Sequence, residues 1–437
     1  MNLGKLWGLL KHNSFVASVG RLVSAHVFGQ VILLAAMPLV TRLYAPADFG
    51  LLALFTGVFG VVLVASSLRY ELAIPLARID RDAFALLVLA LLLNGIFAVA
   101  TAAAVFFWGG ALSRALGAPT LVCILWVLPV SLLGAGSYRA FRLWAVRRHY
   151  FDAIAWTKIA QSAANAVSQV GLGLAGLGAV GLAISHCLGL TAGAYKLACT
   201  VDPALVRAGR HLRNLRMCAL AKRYDRFPKF DVPAAFVDAL SVQLPNLLLA
   251  VLFNPVVAGH YLLADRVLGA PFSLLSQSIG QVLYARSRKA VEDGSMAALA
   301  TKVLLGLAAA VAIPTLAVFV LSEPLFAIVF GDAWREAGLF AGWLVMGLFG
   351  QFLFSSISLV LMATSAQTVN LALQLAILCA RSAALAYGYA AGSALSAITA
   401  LSFANFLGYL GAAAVVIWHA RNHDARSAAQ SAVQGKS

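Results

Sequence analysis

The chain has 437 residues, 62% hydrophobic and 11% charged, with a formal net charge of +16 and a mean hydropathy of +0.89. Soluble domains are about half apolar and about a quarter charged, so a single soluble core is excluded and many membrane spans are required. The basic residues lie between apolar runs, which speaks against a nucleic-acid partner and for the sorting of positive loops to one face of a bilayer.

Taken in chain order, the apolar runs give twelve helical spans, at about 15–40, 49–68, 83–107, 119–140, 153–175, 178–198, 232–253, 257–284, 300–321, 338–362, 367–390 and 393–418. Each is near the ~20 residues that a helix needs to cross ~30 Å of hydrocarbon. The first run carries Arg21, His26 and Gln30 and has no small-residue cleavage site behind it, so it reads as a span and not a leader. LGKLWGLLKH, before it, reads as a short interfacial helix.

The turn LYAPADFG after span one has an echo. Tyr44, Pro46 and Gly50 answer to Phe253, Pro255 and Gly259 at the same spacing, 209 residues further on. Both copies fall between two spans, six spans apart. Two parallel six-helix bundles, related by a pseudo-two-fold axis, are the simplest account. The expected organisation is therefore an N-terminal lobe over 1–198, a basic amphipathic cytoplasmic linker over 199–231 and a C-terminal lobe over 232–419. A disordered, cytoplasmic tail over 420–437 completes it.

Placing the N-terminus in the cytoplasm puts 25 of the 32 Lys and Arg on the inner side. Only Arg42, Arg114 and Arg335 fall outside, and Arg21, Lys158, Arg266 and Arg381 fall within spans. Both termini are thus expected in the cytoplasm. In the linker, Leu212, Leu215 and Leu220 interleave with Arg210, Arg213, Arg216, Lys222 and Arg223. That pattern suits a helix on the anionic inner leaflet and suits a solvated linker helix equally.

The polar residues inside spans recur on helical faces. Span five gives Lys158, Gln161, Asn165 and Ser168. Span eight gives Arg266, Ser273, Gln277 and Gln281. Span eleven gives Asn370, Gln374 and Arg381, span ten Gln351, Ser355 and Ser358, and span one Ser14, Ser18 and Arg21. Serines and glutamines of this kind also serve as interhelical glue. Span seven adds Asp238, Ser241 and Asn246. Cations inside the spans outnumber the acids Asp238 and Asp265, so a lumen lined by Arg and Lys would suit a phosphate or pyrophosphate. The candidate substrate-binding set is Arg21, Lys158, Gln161, Asn165, Arg266, Gln277, Gln374 and Arg381. Asp238 and Asp265 are candidates for ion coupling, and structural pairing of the two acids is the competing reading. His26, His186 and His260 are protonatable candidates for coupling to a proton gradient, with plain core burial as the competing reading, and His260 lies at the outer end of span eight, where an exposed histidine is ordinary.

No catalytic constellation is present: there is no Walker A, H-E-x-x-H or G-x-S-x-G sequence. The five cysteines form no C-x-x-C pair and read as reduced, apolar filler. No cofactor, metal or enzymatic activity is expected.

TRLYAPADFG (41–50), RYELAI (69–74), RYDRFPKF (223–230), LYARSRKA (283–290) and VFGDAWREAG (329–338) follow one another in order. This set resembles the polysaccharide-biosynthesis flippases, the O-antigen and exopolysaccharide branch of the multidrug/oligosaccharidyl-lipid/polysaccharide exporter superfamily. The resemblance implies an all-α integral membrane protein of about twelve transmembrane helices, arranged as two pseudo-symmetric six-helix bundles around a central cavity. It further implies alternating access, a cationic lumen and an undecaprenyl-pyrophosphate-linked oligosaccharide, carried across the bacterial inner membrane for O-antigen, capsule or exopolysaccharide synthesis. Its partners would be that lipid-linked oligosaccharide, the phospholipid membrane and the polymerase and glycosyltransferases of the same pathway, with no nucleic acid. A small-molecule antiporter of the same superfamily and a membrane polymerase or ligase are the alternatives. The first would want an acidic lumen, and the second a long outer loop that this chain lacks.

Overall fold

The computed structural model describes residues 14–115, 120–204, 214–363 and 367–434. The N-terminal interfacial stretch, linker residues 205–213 and the side chains of Ser14, Ser18, Gln281 and Asn370 lie outside the description. Among the described residues the structure is helical, without strands. Twelve long helices follow the twelve apolar runs: α1 (Ser14–Leu43), α2 (Pro46–Ala65), α3 (Asp80–Ala115), α4 (Leu121–Leu125, continuing as Val127–Arg147), α5 (Phe151–Leu174) and α6 (Gly178–Thr191). The others are α7 (Val232–Leu252), α8 (Pro255–Glu292), α9 (Met296–Phe330), α10 (Arg335–Ile357), α11 (Gln367–Ala390) and α12 (Ala394–Gln434).

Among the described residues, nine of these are long and apolar enough to cross a membrane by length and composition. The remaining three are α5, α8 and α11, whose mean hydropathy is lowered by the stripes around Lys158, Arg266 and Arg381. The chain is a multi-pass membrane protein.

The repeated turn has the same build in both copies. Pro46 opens α2 and Pro255 opens α8, where a missing N–H costs the helix nothing. A side-chain oxygen caps each turn. Asp48 accepts from the Ala45 N–H at 3.0 Å, and Asn254 accepts from the Val257 N–H at 2.9 Å. The aromatic residue of each turn docks on the helix four places on. Tyr44 donates its hydroxyl to the Gln169 carbonyl of α5 at 2.8 Å, and the Phe253 ring meets Tyr389 of α11 edge-on at 6.2 Å. Burial, aided by the Asp48 carboxylate, pushes the Tyr44 phenol up to about 12, so it remains a donor at any physiological pH. Helix pairing repeats as well: α2 with α4, α3 with α4, α4 with α6 and α5 with α6 in the first half answer to α8 with α10, α9 with α10, α10 with α12 and α11 with α12 in the second.

The chain divides into two compact units between Leu247 and Leu248. The expected boundary lay before span seven, whereas the division falls inside α7. The reason is close packing with α2. A Cβ added to Gly57 would stand 2.7 Å from Leu247 Cδ2, so only glycine lets α7 approach this closely.

The corner between α2 and α3 holds the linker. Leu68 and Arg69 adopt left-handed backbone angles, φ 50° and 59°, which side chains other than glycine rarely accept. Arg69 meets the Asp231 carboxylate just ahead of α7. Tyr70 donates to the Ala221 carbonyl at 3.1 Å, and burial, with Asp225 nearby, raises its phenol above the ordinary tyrosine value. Linker helix Asn214–Arg223 places Leu220 in a buried cluster with Tyr70, Ile74 and Trp144. Leu220 thus packs on protein, while Lys222 and Arg223 are exposed.

A second difference concerns the expected tail. α12 runs on to Gln434, because Ala, Arg and Gln are strong helix formers. Ala420 is fully buried, and the Asp424 carboxylate accepts from the Ala297 N–H at 2.9 Å, capping the first turn of α9.

Replacing Arg69 by alanine leaves the Asp231 carboxylate half-buried and unpaired. The expected cost is about 1–3 kcal/mol, read as a lower thermal midpoint of the purified protein in detergent. Tyr70→Phe is expected to cost about 1 kcal/mol in the same measurement.

Candidate functional site

The polar stripe of α5 faces a cavity inside the first unit, bounded by α1 and α6. Its volume is about 240 Å³, and its lining includes His26, Gln30, Lys158, Gln161, Asn165 and His186. His26 and Gln30 are one helical turn apart on α1, so both reach the same wall. Gly189 of α6 brings the backbone against α5: a Cβ there would stand 2.7 Å from the Asn165 Cβ. Any larger residue would drive Asn165 into the space.

Among the described residues the lining contains a lysine and two histidines and no carboxylate. Lys158 Nζ donates to Gln161 Oε1 at 3.3 Å and lies 5.6 Å from the centre of the Tyr138 ring. Gln161 in turn donates to the Leu190 carbonyl of α6 at 3.0 Å, which fixes its oxygen toward the lysine. His26 lies within the electrostatic field of Lys158. His186 is flanked edge-on by Phe55 and Phe59 of α2. The Asn165 Oδ1 atom is buried and has no hydrogen-bond partner among the described residues. Such an atom is costly unless something binds there. A charged donor, neutral amides and an unfilled acceptor together suit a small anionic group that also carries hydroxyls.

The structure thus brings Lys158, Gln161 and Asn165 together. Ser168, next on the stripe, turns back to the Ala164 carbonyl. Arg21 sits apart, exposed, and pairs with Asp152 at the start of α5 at 2.9 Å.

In the second unit the cations are engaged differently. Arg381 is 7% exposed. Its Nε donates to Asn405 Oδ1 at 2.7 Å and its Nη2 to the Tyr409 hydroxyl at 2.8 Å, both on α12. Asp265 and Arg266 lie on α8, and Asp265 feels the charge of Arg266 and of Arg381. Gln374 is half-buried, while Gln277 and Asp238 are both exposed. Sequence reasoning missed Asn405 and Tyr409, although a polar pair one turn apart in an apolar span was the available signal. It noticed His26, Gln30 and His186 without placing them beside Lys158.

Solved structures share this arrangement of twelve helices in two similarly paired halves. The lipid II flippase MurJ, in an inward closed conformation, matches with a TM-score of 0.68 and 11% identity, over 94% of this chain and 90% of that one. An inward-facing multidrug-resistance MATE transporter matches at 0.63 and 15%, over 93% and 95%. A eukaryotic MATE transporter, AtDTX14, matches at 0.59 and 14%, over 95% and 99%. No curated protein sequence matches significantly. A family model described as polysaccharide biosynthesis protein matches residues 39–338, and the chain belongs to that family.

Two outcomes follow from the contrast between the units. Asn165→Leu removes an unsatisfied acceptor, so the thermal midpoint is expected to hold or rise while any activity that uses the cavity falls at least about tenfold. Arg381→Ala strands Asn405 and Tyr409 in the second unit and is expected to cost about 2–4 kcal/mol. Arg381→Lys recovers only part of that, because an ammonium lacks the two-pronged geometry of guanidinium.

Proposed function

We propose that this protein is a flippase for undecaprenyl-pyrophosphate-linked oligosaccharide units in the bacterial inner membrane, with both termini cytoplasmic. It would deliver the units for O-antigen, capsule or exopolysaccharide assembly and work beside the glycosyltransferases that build them and the polymerase that joins them. Family membership and the MurJ-like fold support the substrate class. The observation that carries the reading is Lys158 in a polar cavity without a carboxylate among its described residues. Lys158 and the amides would hold phosphate or sugar groups, while the prenyl tail stays in lipid. Rocking of packed helices would then expose the site to either side in turn.

An antiporter for cationic drugs is disfavoured by the same observation, since such a ligand would meet Lys158 with no acid to offset it. A membrane polymerase or ligase is disfavoured by solved neighbours that are transporters.

The test is complementation of a flippase-null strain that makes the cognate glycan. The wild-type gene is expected to restore surface polysaccharide and clear lipid-linked sugar from the inner leaflet. Lys158→Ala, at normal membrane levels, should lower export at least about tenfold, and Lys158→Arg should retain part of it. Unchanged inner-leaflet sugar on loss of the gene, or full export by Lys158→Ala, would overturn the reading.

A further inference from the structure

A second cavity in the first unit opens at the junction of α4 and α5 and shares no lining residue with the one around Lys158. Its volume is about 350 Å³, and its lining includes Arg148, Tyr150, Cys199, Thr200 and Asp202. Both walls are fixed from behind. On one side α4 stops where His149 turns left-handed, φ 59°, and the Tyr150 N–H reaches back to the Ala145 carbonyl at 2.9 Å. On the other, the short helix Ala194–Ala198 buries Leu197 against Tyr138, Ala145 and Ile154. The Thr200 and Val201 N–H groups then donate to the Leu197 and Ala198 carbonyls, each at 3.0 Å, and Val201 packs on the cluster around Trp144.

This cavity keeps opposite charges apart. Arg148 gives Nη1 to Asp80 Oδ2 at 3.1 Å, and Arg147 takes the other oxygen of the same carboxylate at 3.0 Å. One acid therefore answers two guanidinium groups on this wall. A guanidinium has five N–H donors, and the other donors of Arg148 meet no acceptor among the described residues. Its carbon stands 5.4 Å from the centre of the Trp144 ring. Asp202 spends Oδ1 on the Ala204 N–H at 2.8 Å, and its Oδ2 has no partner among the described residues. Arg148 and Asp202 thus line one space without forming an ion pair. A simple anion would meet Asp202 there, and a simple cation would meet Arg148. A ligand that carries both signs satisfies both walls.

The surroundings point to the source of such a ligand. The helix that leads into the second wall carries Tyr195, 83% exposed, and the neighbouring Trp156 is 60% exposed. Lys196 Nζ lies 4.8 Å from the centre of the Trp156 ring. Exposed tryptophan and tyrosine beside a lysine belong at the headgroup level of a bilayer.

We propose that this cavity binds the headgroup of an aminophospholipid, with its phosphate on Arg148 and Tyr150 and its ammonium on Asp202. A primary ammonium donates three hydrogen bonds. A choline headgroup donates none, and a glycerol headgroup offers Asp202 no positive charge. On the proposed topology the lipid comes from the inner leaflet. The inference uses that topology for the leaflet alone and is independent of the cargo.

The experiment uses the full-length protein in detergent. It is titrated with phosphatidylethanolamine, phosphatidylglycerol or phosphatidylcholine of the same acyl chains, and with water-soluble glycerophosphoethanolamine. The thermal midpoint is followed, since a ligand of the folded state raises it, and each variant is read against its own lipid-free midpoint. Phosphatidylethanolamine is expected to raise the midpoint by about 2 °C more than either other lipid, and the soluble headgroup by far less. Asp202→Asn keeps the cap on Ala204, because Asn caps as well as Asp, and should erase the difference between ethanolamine and choline lipids. Arg148→Gln should weaken the ethanolamine and glycerol lipids about tenfold, the size of one lost charged hydrogen bond. Equal shifts from the three lipids would overturn the proposal, as would an ethanolamine preference that survives Asp202→Asn or full binding by Arg148→Gln. A full shift from the soluble headgroup would overturn the assignment to a membrane lipid.

Discussion

Hydrocarbon offers a polar group no partner, and the architecture follows from that constraint. It forces the backbone into helices whose hydrogen bonds close within each span. It also sorts the polar side chains by whether the protein itself completes them. Asn94, fully buried on α3, donates to the Leu133 carbonyl of α4 at 2.9 Å. Tyr138 and Thr157 join α4 to α5 through hydroxyls 2.9 Å apart. Arg381 is consumed by Asn405 and Tyr409. These groups hold helices together. The Oδ1 atoms of Asn94 and Asn165 are both left without a partner among the described residues, and what distinguishes Asn165 is that it lines a cavity beside Lys158.

Much of this was legible in the chain itself. The apolar runs placed all twelve helices, because span length is set by membrane thickness and not by tertiary detail. The echoed turn located two helix starts and paired them correctly. The α5 stripe was legible because three of its members share one wall within a single helix. Contacts between helices far apart in sequence were not. Nothing local marks Asn405 and Tyr409 as the partners of Arg381, which lies 24 and 28 residues earlier. His260 misled for the same reason. Its burial comes from Trp334 and Phe340, brought in by a different part of the chain.

The linker and the segment after His419 show the other limit of local reading. Both are polar or basic enough to suggest solvent or the bilayer surface. One residue in each nonetheless docks on protein: Leu220 joins a core formed with residues 70–144, and Asp424 completes the first turn of α9. Composition averages over a segment, whereas docking depends on one side chain meeting a vacancy already shaped by the rest of the fold.

That last contact bears on how the molecule is made. The first turn of α9 waits for residue 424, which a ribosome adds 127 residues after Ala297. The closing tie of the second unit therefore forms only once α10, α11 and α12 have been delivered to the bilayer. The pocket around Lys158 draws on residues 26–190 alone, so it assembles while its counterpart is still being translated. Biogenesis of the two halves is then sequential.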